Sequence, residues 1–169
     1  MDETMTKNPT MMKNPTKMIA YGGLIAALYV ILTYIANMFG LASGAVQVRL
    51  SEALTILPVL TVSAVPGLTV GCVLANILTG CAMGDVIFGS LATLLGAIGT
   101  RLLKKNPQLA WIPPVISNMV IVPIVLQQVY GVPDAWWFLM LTVGAGELIS
   151  CGLLGLLLYK PATRVIPAD

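Results

Sequence analysis

The charges of this chain avoid most of its length. It carries nine basic and seven acidic side chains, and eleven of the sixteen fall in three clusters. The amino end holds Asp2, Glu3, Lys7, Lys13 and Lys17, a middle stretch holds Arg101, Lys104 and Lys105, and the carboxyl end holds Lys160, Arg164 and Asp169. Between the clusters lie apolar runs long enough to cross a bilayer, which takes about 20 helical residues. In lipid every backbone polar group must be bonded within the chain, so such runs fold as helices. With 57% hydrophobic and 9% charged residues, the chain cannot clothe a soluble globule, whose surface draws on roughly 25% charged residues. A soluble enzyme, a fibrous repeat and a disordered chain are all excluded. The 169 residues hold about six spans and leave no room for a separate nucleotide-binding domain. The expected architecture is an all-α integral membrane protein of the cell membrane, with one membrane domain over residues 18–160 between tails at 1–17 and 161–169.

The apolar runs cover residues 18–39, 50–78, 86–103, 109–129 and 136–159. The run 50–78 is broken by Pro58 and by Ser63-Ala64-Val65-Pro66-Gly67, a turn signal. The positive-inside rule chooses between one long span and two short ones. With two, the Arg101–Lys105 cluster and both termini fall on the cytoplasmic side, and eight of the nine basic residues lie inside, Arg49 being the exception. Six helices with both ends cytoplasmic is therefore the predicted topology. Tyr130, Trp136 and Trp137 would form the outer aromatic belt, with Trp111 and Tyr159 at the inner one. The amino tail repeats Lys7-Asn8-Pro9-Thr10 as Lys13-Asn14-Pro15-Thr16; its prolines oppose a regular helix. It lacks the short h-region and cleavage site of a signal peptide.

Five charges stand alone: Arg49, Glu52, Asp85, Asp134 and Glu147. In the six-helix topology all lie in the outer half. Glu147 falls about 16 Å into the last helix at ~1.5 Å per residue. An ionisable group there costs at least ~2.5 kcal/mol unless it faces a cavity or a partner. Arg49, Glu52, Asn76, Asp85, Asn118 and Glu147 come from helices two to six and are the candidate lining of an outward-facing polar cavity. Each also has a plainer reading. Arg49 and Glu52 are three apart and can pair on a helix surface. Asp85 can cap a helix, and Asn76 and Asn118 can bond neighbouring helices. Glu147 is hardest to explain this way, because Gly144-Ala145-Gly146 before it lets another group approach.

On the first helix Gly22 and Ala26 are four apart, as are Gly23 and Ala27. Such pairs of small residues allow close helix contact, within the chain or with a partner. Cys72, Cys81 and Cys151 form no C-x-x-C pair and read as buried small hydrophobes. The chain has no histidine, no metal-ligand cluster, no nucleophile–base pair and no phosphate-binding loop. No cofactor or nucleic-acid partner is expected, nor an enzymatic activity. A facilitator, an ion-coupled carrier and the binding subunit of a larger transporter remain.

Longer motifs narrow this choice. The run Val48-Arg49-Leu50-Ser51-Glu52-Ala53-Leu54-Thr55-Ile56-Leu57-Pro58 resembles the signature of the QueT family, the substrate-binding (S) components of energy-coupling factor (ECF) transporters. Further similarity lies in Val65-Pro66-Gly67-Leu68-Thr69-Val70-Gly71-Cys72, in Asp85 to Gly96, and in Gly144-Ala145-Gly146-Glu147-Leu148-Ile149-Ser150. The resemblance covers roughly residues 18–160. It implies the six-helix S-component bundle, a 7-deazaguanine substrate such as preQ1, preQ0 or queuine, and assembly with a transmembrane coupling protein and two cytoplasmic ATPases. It also implies that small residues of the first helix contact the coupling protein, and that the subunit topples in the membrane to carry its pocket inward. Amides and carboxylates suit the donor edge of such a base, and Phe88, Tyr130, Trp136 and Trp137 are candidates to stack on its ring. Arg49, Glu52, Asp85 and Glu147 together leave the expected cavity at a formal −2, which favours cationic preQ1 over neutral preQ0.

Overall fold

The computed structural model describes residues 15–41 and 47–166. The described residues are all helical or connecting, in the order α1 (Pro15–Met38), a 3₁₀ helix (Leu50–Val59), α2 (Ala64–Leu78), α3 (Met83–Leu102), α4 (Ile112–Gln128) and α5 (Trp136–Val165). A short 3₁₀ turn, Pro107–Leu109, precedes α4. The amino-terminal repeat up to Asn14, Ser43 and Gly44, and the last three residues lie outside the described residues.

Four stretches are long and apolar enough to cross a membrane: Pro15–Met38, Met83–Leu102, Pro107–Gln128 and Trp136–Val165. The lipid side is legible in exposed apolar side chains such as Ile31, Leu24, Ile98, Leu141 and Leu157. The membrane domain extends past both expected bounds. Helix α1 starts at Pro15, where a missing N–H is harmless in a first turn, and α5 continues through Pro161 to Val165.

The run 50–78 is two short helices, as the charge pattern requires, but the first differs from a lipid-facing span. Leu50–Val59 is a 3₁₀ helix buried from Ser51 to Val59. At ~2.0 Å per residue its ten residues cover about 20 Å, short of the roughly 30 Å hydrocarbon core. It can be short because the other helices surround it. Ile25 and Tyr29 of α1, Leu68 and Cys72 of α2, Ala97 of α3 and Ala162 of α5 share one apolar core with Leu54, Ile56 and Leu57. At its far end Pro58 sits inside the helix, and Arg101 of α3 donates to the Pro58 carbonyl at 3.1 Å. The turn to α2 falls at residues 60–63, so only Ser63 of the turn signal at residues 63–67 lies in it, and Pro66 is taken into the start of α2.

Small residues set the helix spacing. A Cβ on Gly67 would come within 2.7 Å of the Gly22 carbonyl oxygen, and one on Gly71 within 3.0 Å of the Ala26 Cα. One of the two expected stripes on α1, Gly22 and Ala26, is thus used inside the chain, against α2. Gly23 has open space beside it, and Ala27 is exposed.

Candidate functional site

Helices α1, α2 and α4 finish at the same end of the bundle where α3 and α5 begin. The polar residues at those termini gather there around a cavity of about 390 Å³. Thr33 and Asn37 come from α1, Gln47, Arg49 and Ser51 from the segment entering the 3₁₀ helix, and Asn76 and Thr79 from the end of α2. Asp85 comes from the first turn of α3, and Tyr130 from just after α4. Three of the six sequence candidates, Arg49, Asn76 and Asp85, therefore line one cavity. Asn76 Nδ2 donates to the Asp85 backbone carbonyl at 3.3 Å, which fixes α2 against α3. Asp85 Oδ2 accepts from the Tyr130 hydroxyl at 3.3 Å, and the same hydroxyl accepts from the Ala82 amide at 3.1 Å. Burial, and then the Asp85 carboxylate beside it, push Tyr130 above the usual phenol range, so it stays a neutral donor. Asp85 and Arg49 both line the cavity, so it holds one carboxylate and one cation.

The other three candidates form a second group and do not line the cavity. Glu52 is 0% exposed, Asn118 3% and Glu147 5%. One carboxylate oxygen each of Glu52 and Glu147 and the Cys151 sulfur lie within 4.8 Å of one another. Asn118 is buried beside both carboxyl groups. Cys151 Sγ donates to Glu147 Oε2 at 3.1 Å, and the nearby Thr55 hydroxyl donates to the Glu52 backbone carbonyl at 2.6 Å. Tyr29 donates its hydroxyl to Glu52 Oε1 at 2.5 Å. Glu52 Oε2 is buried without a hydrogen-bond partner among the described residues. Tyr29, Arg49 and Ser51 line the cavity, and Tyr29 also reaches the acid pair through Glu52.

Local sequence explains this placement. From Leu148 to Leu154 helix α5 widens to a π-helix, a form concentrated at functional sites. Glu147, Ser150 and Cys151 are all buried there. Ser150 Oγ accepts the Arg49 amide at 3.2 Å. Gly146 lets the Gln47 backbone cross α5 at contact distance; any Cβ there would collide with the Gln47 carbonyl. The expected room before Glu147 is thus taken up by the segment that carries Arg49.

A third feature lies at the opposite end. Where α1 and α2 begin, an apolar groove of about 480 Å³ runs along Met18, Ile19, Gly22, Gly23, Ala26, Pro66 and Val70.

Comparison with known proteins places this geometry. The family model described as QueT transporter matches residues 19–164. The chain belongs to the QueT transporter family. Its motifs therefore carried the right family, and the bundle is that of a multi-pass protein of the cell membrane. A curated relative, the queuosine precursor transporter QueT of Lactococcus lactis subsp. cremoris (strain MG1363), is 36% identical over 72 residues. That match covers 43% of this chain and 42% of the relative. No solved structure matches the chain.

Tyr29 and Cys151, like Thr33, Asn37, Gln47, Ser51 and Thr79 of the cavity, were not among the sequence candidates. Tyr29 shares its apolar span with the hydroxyls of Tyr21, Thr33 and Tyr34, so nothing in the sequence set it apart. Cys151 follows Glu147 by one helical turn, the spacing at which two side chains share a face. Of the aromatic residues considered for stacking, Tyr130 lines the cavity, whereas Phe88 is half exposed on the outside of α3.

Proposed function

We propose that this chain is the substrate-binding membrane subunit of an energy-coupling factor importer and captures a queuosine precursor, a 7-deazaguanine, in the cavity lined by Arg49, Asn76 and Asp85. The convergence of these three residues from three elements on one 390 Å³ cavity carries the reading. Cavities of this size suit small ligands, and a few placed polar groups in them set orientation. A deazaguanine offers a carbonyl acceptor and an amidine-like donor edge, which a cation and a carboxylate–amide pair can meet by paired hydrogen bonds. Family membership and the name of the lactococcal relative support the same substrate class.

With both termini cytoplasmic, as the basic clusters favour, the cavity faces outward. The apolar groove then lies near the inner surface, where a coupling protein can pack on Gly23 and Ala27. ATP-driven movement of the subunit in the membrane would carry the cavity inward. The buried Glu52–Glu147 pair also suits a stand-alone proton-coupled carrier. Purification of the tagged subunit from its own membranes separates the two readings. Retention of a transmembrane partner and two ATPases supports the importer, and a subunit that transports alone in vesicles refutes it. Native mass spectrometry of the same preparation should show a bound mass equal to a 7-deazaguanine; a different retained ligand would overturn the substrate.

A further inference from the structure

The buried acid pair is not explained by a cavity that it does not line. Among the described residues Arg49 is the cation that acts on Asp85, Glu52 and Glu147, one positive charge beside three carboxyl groups. That leaves two of the three buried carboxyl groups without a positive charge to balance them. Hydrogen bonding does not make up the difference. Tyr29 serves one oxygen of Glu52, Cys151 serves one oxygen of Glu147, and Glu52 Oε2 is buried without a partner. An uncompensated buried carboxylate takes up a positive charge, a proton or a cation, rather than remain bare.

We propose that the Glu52–Glu147 pair is the seat of a positively charged group on the substrate, and that this group displaces one proton which the pair holds when empty. The inference rests on the substrate class given above. It assigns the ring to the outer cavity and a cationic substituent, such as an aminomethyl ammonium, to the deeper pair. Tyr29 lines the outer cavity while its hydroxyl donates to Glu52, so in this assignment the substituent reaches the pair by moving the Tyr29 side chain aside. Charge balance is kept at each stage. Arg49 offsets Asp85 throughout. The empty pair is neutral with two protons; with the cation in place it holds one proton and one negative charge, and one proton leaves to solvent. The titratable groups acting on the pair are Tyr29 from α1, Arg49 from the entering segment, Cys72 from α2 and Cys151 from α5, with Asp85 of α3 acting on Arg49 and Asn118 as the neutral amide from α4.

Two measurements test this on the purified full chain. The first is infrared spectroscopy of the ligand-free protein at neutral pH. A protonated carboxylic acid band is expected, weakened in Glu52→Gln and in Glu147→Gln. A spectrum without that band overturns the proposal whatever the ligand. The second is calorimetric titration with preQ1, which is cationic, and preQ0, which is neutral, in buffers of different ionisation enthalpy. About one proton should be released per preQ1 bound and none per preQ0. Glu147→Gln should weaken preQ1 on the order of 100-fold, the usual scale for truncating one partner of a buried pair. It should change preQ0 by less than about threefold, and that retained binding shows that the variant is folded. Equal proton release for both ligands, or equal losses in the variant, would overturn the seat. Failure of both ligands to bind wild type would overturn the queuosine reading and the exchange with it, while the infrared band would still establish the protonated pair.

Discussion

Tyr29 of α1 and Glu52 of the 3₁₀ helix share a hydrogen bond of 2.5 Å, with both side chains almost fully buried. The bond joins the most lipid-exposed helix to the element at the centre of the bundle. Because Tyr29 also lines the polar cavity, the bond links the cavity to the acid pair. Removing the donor leaves the Glu52 carboxyl group buried with neither oxygen hydrogen-bonded, which costs about 1–3 kcal/mol. Tyr29→Phe should therefore lower the melting temperature of the empty subunit by several degrees, at ~2–4 °C per kcal/mol for a chain of this size. An unchanged melting temperature would show that the bond contributes nothing to the fold.

Gly146 tests whether the Gln47–Arg49 segment belongs to the site. An alanine is ordinarily better than glycine inside a helix by about 1 kcal/mol. Here its Cβ collides with the Gln47 carbonyl and must push the segment, and Arg49 with it, off α5. Gly146→Ala should keep the helix and lose at least tenfold in ligand affinity by titration. Wild-type affinity in that variant would mean Arg49 is not needed where the structure puts it.

The two small-residue pairs on α1 should separate by function. Ala26 packs on Gly71 of α2, whereas Ala27 is exposed. Ala26→Trp should reduce the yield of folded protein. Ala27→Trp should leave folding and ligand affinity intact and abolish capture of the coupling protein in a pull-down. Normal capture by the Ala27 variant would remove α1 from the interface.

Much of this arrangement was legible in the sequence, because lipid imposes simple rules. The basic clusters divided residues 50–78 into two helices when hydropathy alone did not. The isolated polar residues Arg49, Asn76 and Asp85 meet at one cavity because bare charge in a membrane needs a reason. What the sequence did not disclose depends on neighbours. A continuous apolar run from Leu50 carries no mark of 3₁₀ geometry, since being enclosed by other helices is a tertiary property. Glu52, Asn118 and Glu147 were grouped with the cavity because all are polar and in its half. Their separation from it depends on where Tyr29 and Arg49 stand, and no spacing rule reports that. Equally, the periodicity that revealed two small-residue stripes could not say which one the fold would use itself.

Topology can be tested without removing every cysteine, because Cys72 and Cys151 are buried and Cys81 is partly exposed. In a Cys81→Ser background, a cysteine replacing Asp134 should react with an impermeant maleimide in intact cells, and one replacing Asn106 should not. The reverse pattern would turn the cavity toward the cytoplasm and end the importer reading.

The central claim is that a 7-deazaguanine binds between Arg49, Asn76 and Asp85. Calorimetric titration of preQ1 into the purified wild-type subunit, beside Asp85→Asn and Asn76→Ala, tests it most directly. The account predicts saturable one-to-one binding to wild type, weakened at least tenfold in both variants while competition by adenine is absent. No binding to wild type, or equal affinity in all three proteins, would contradict it.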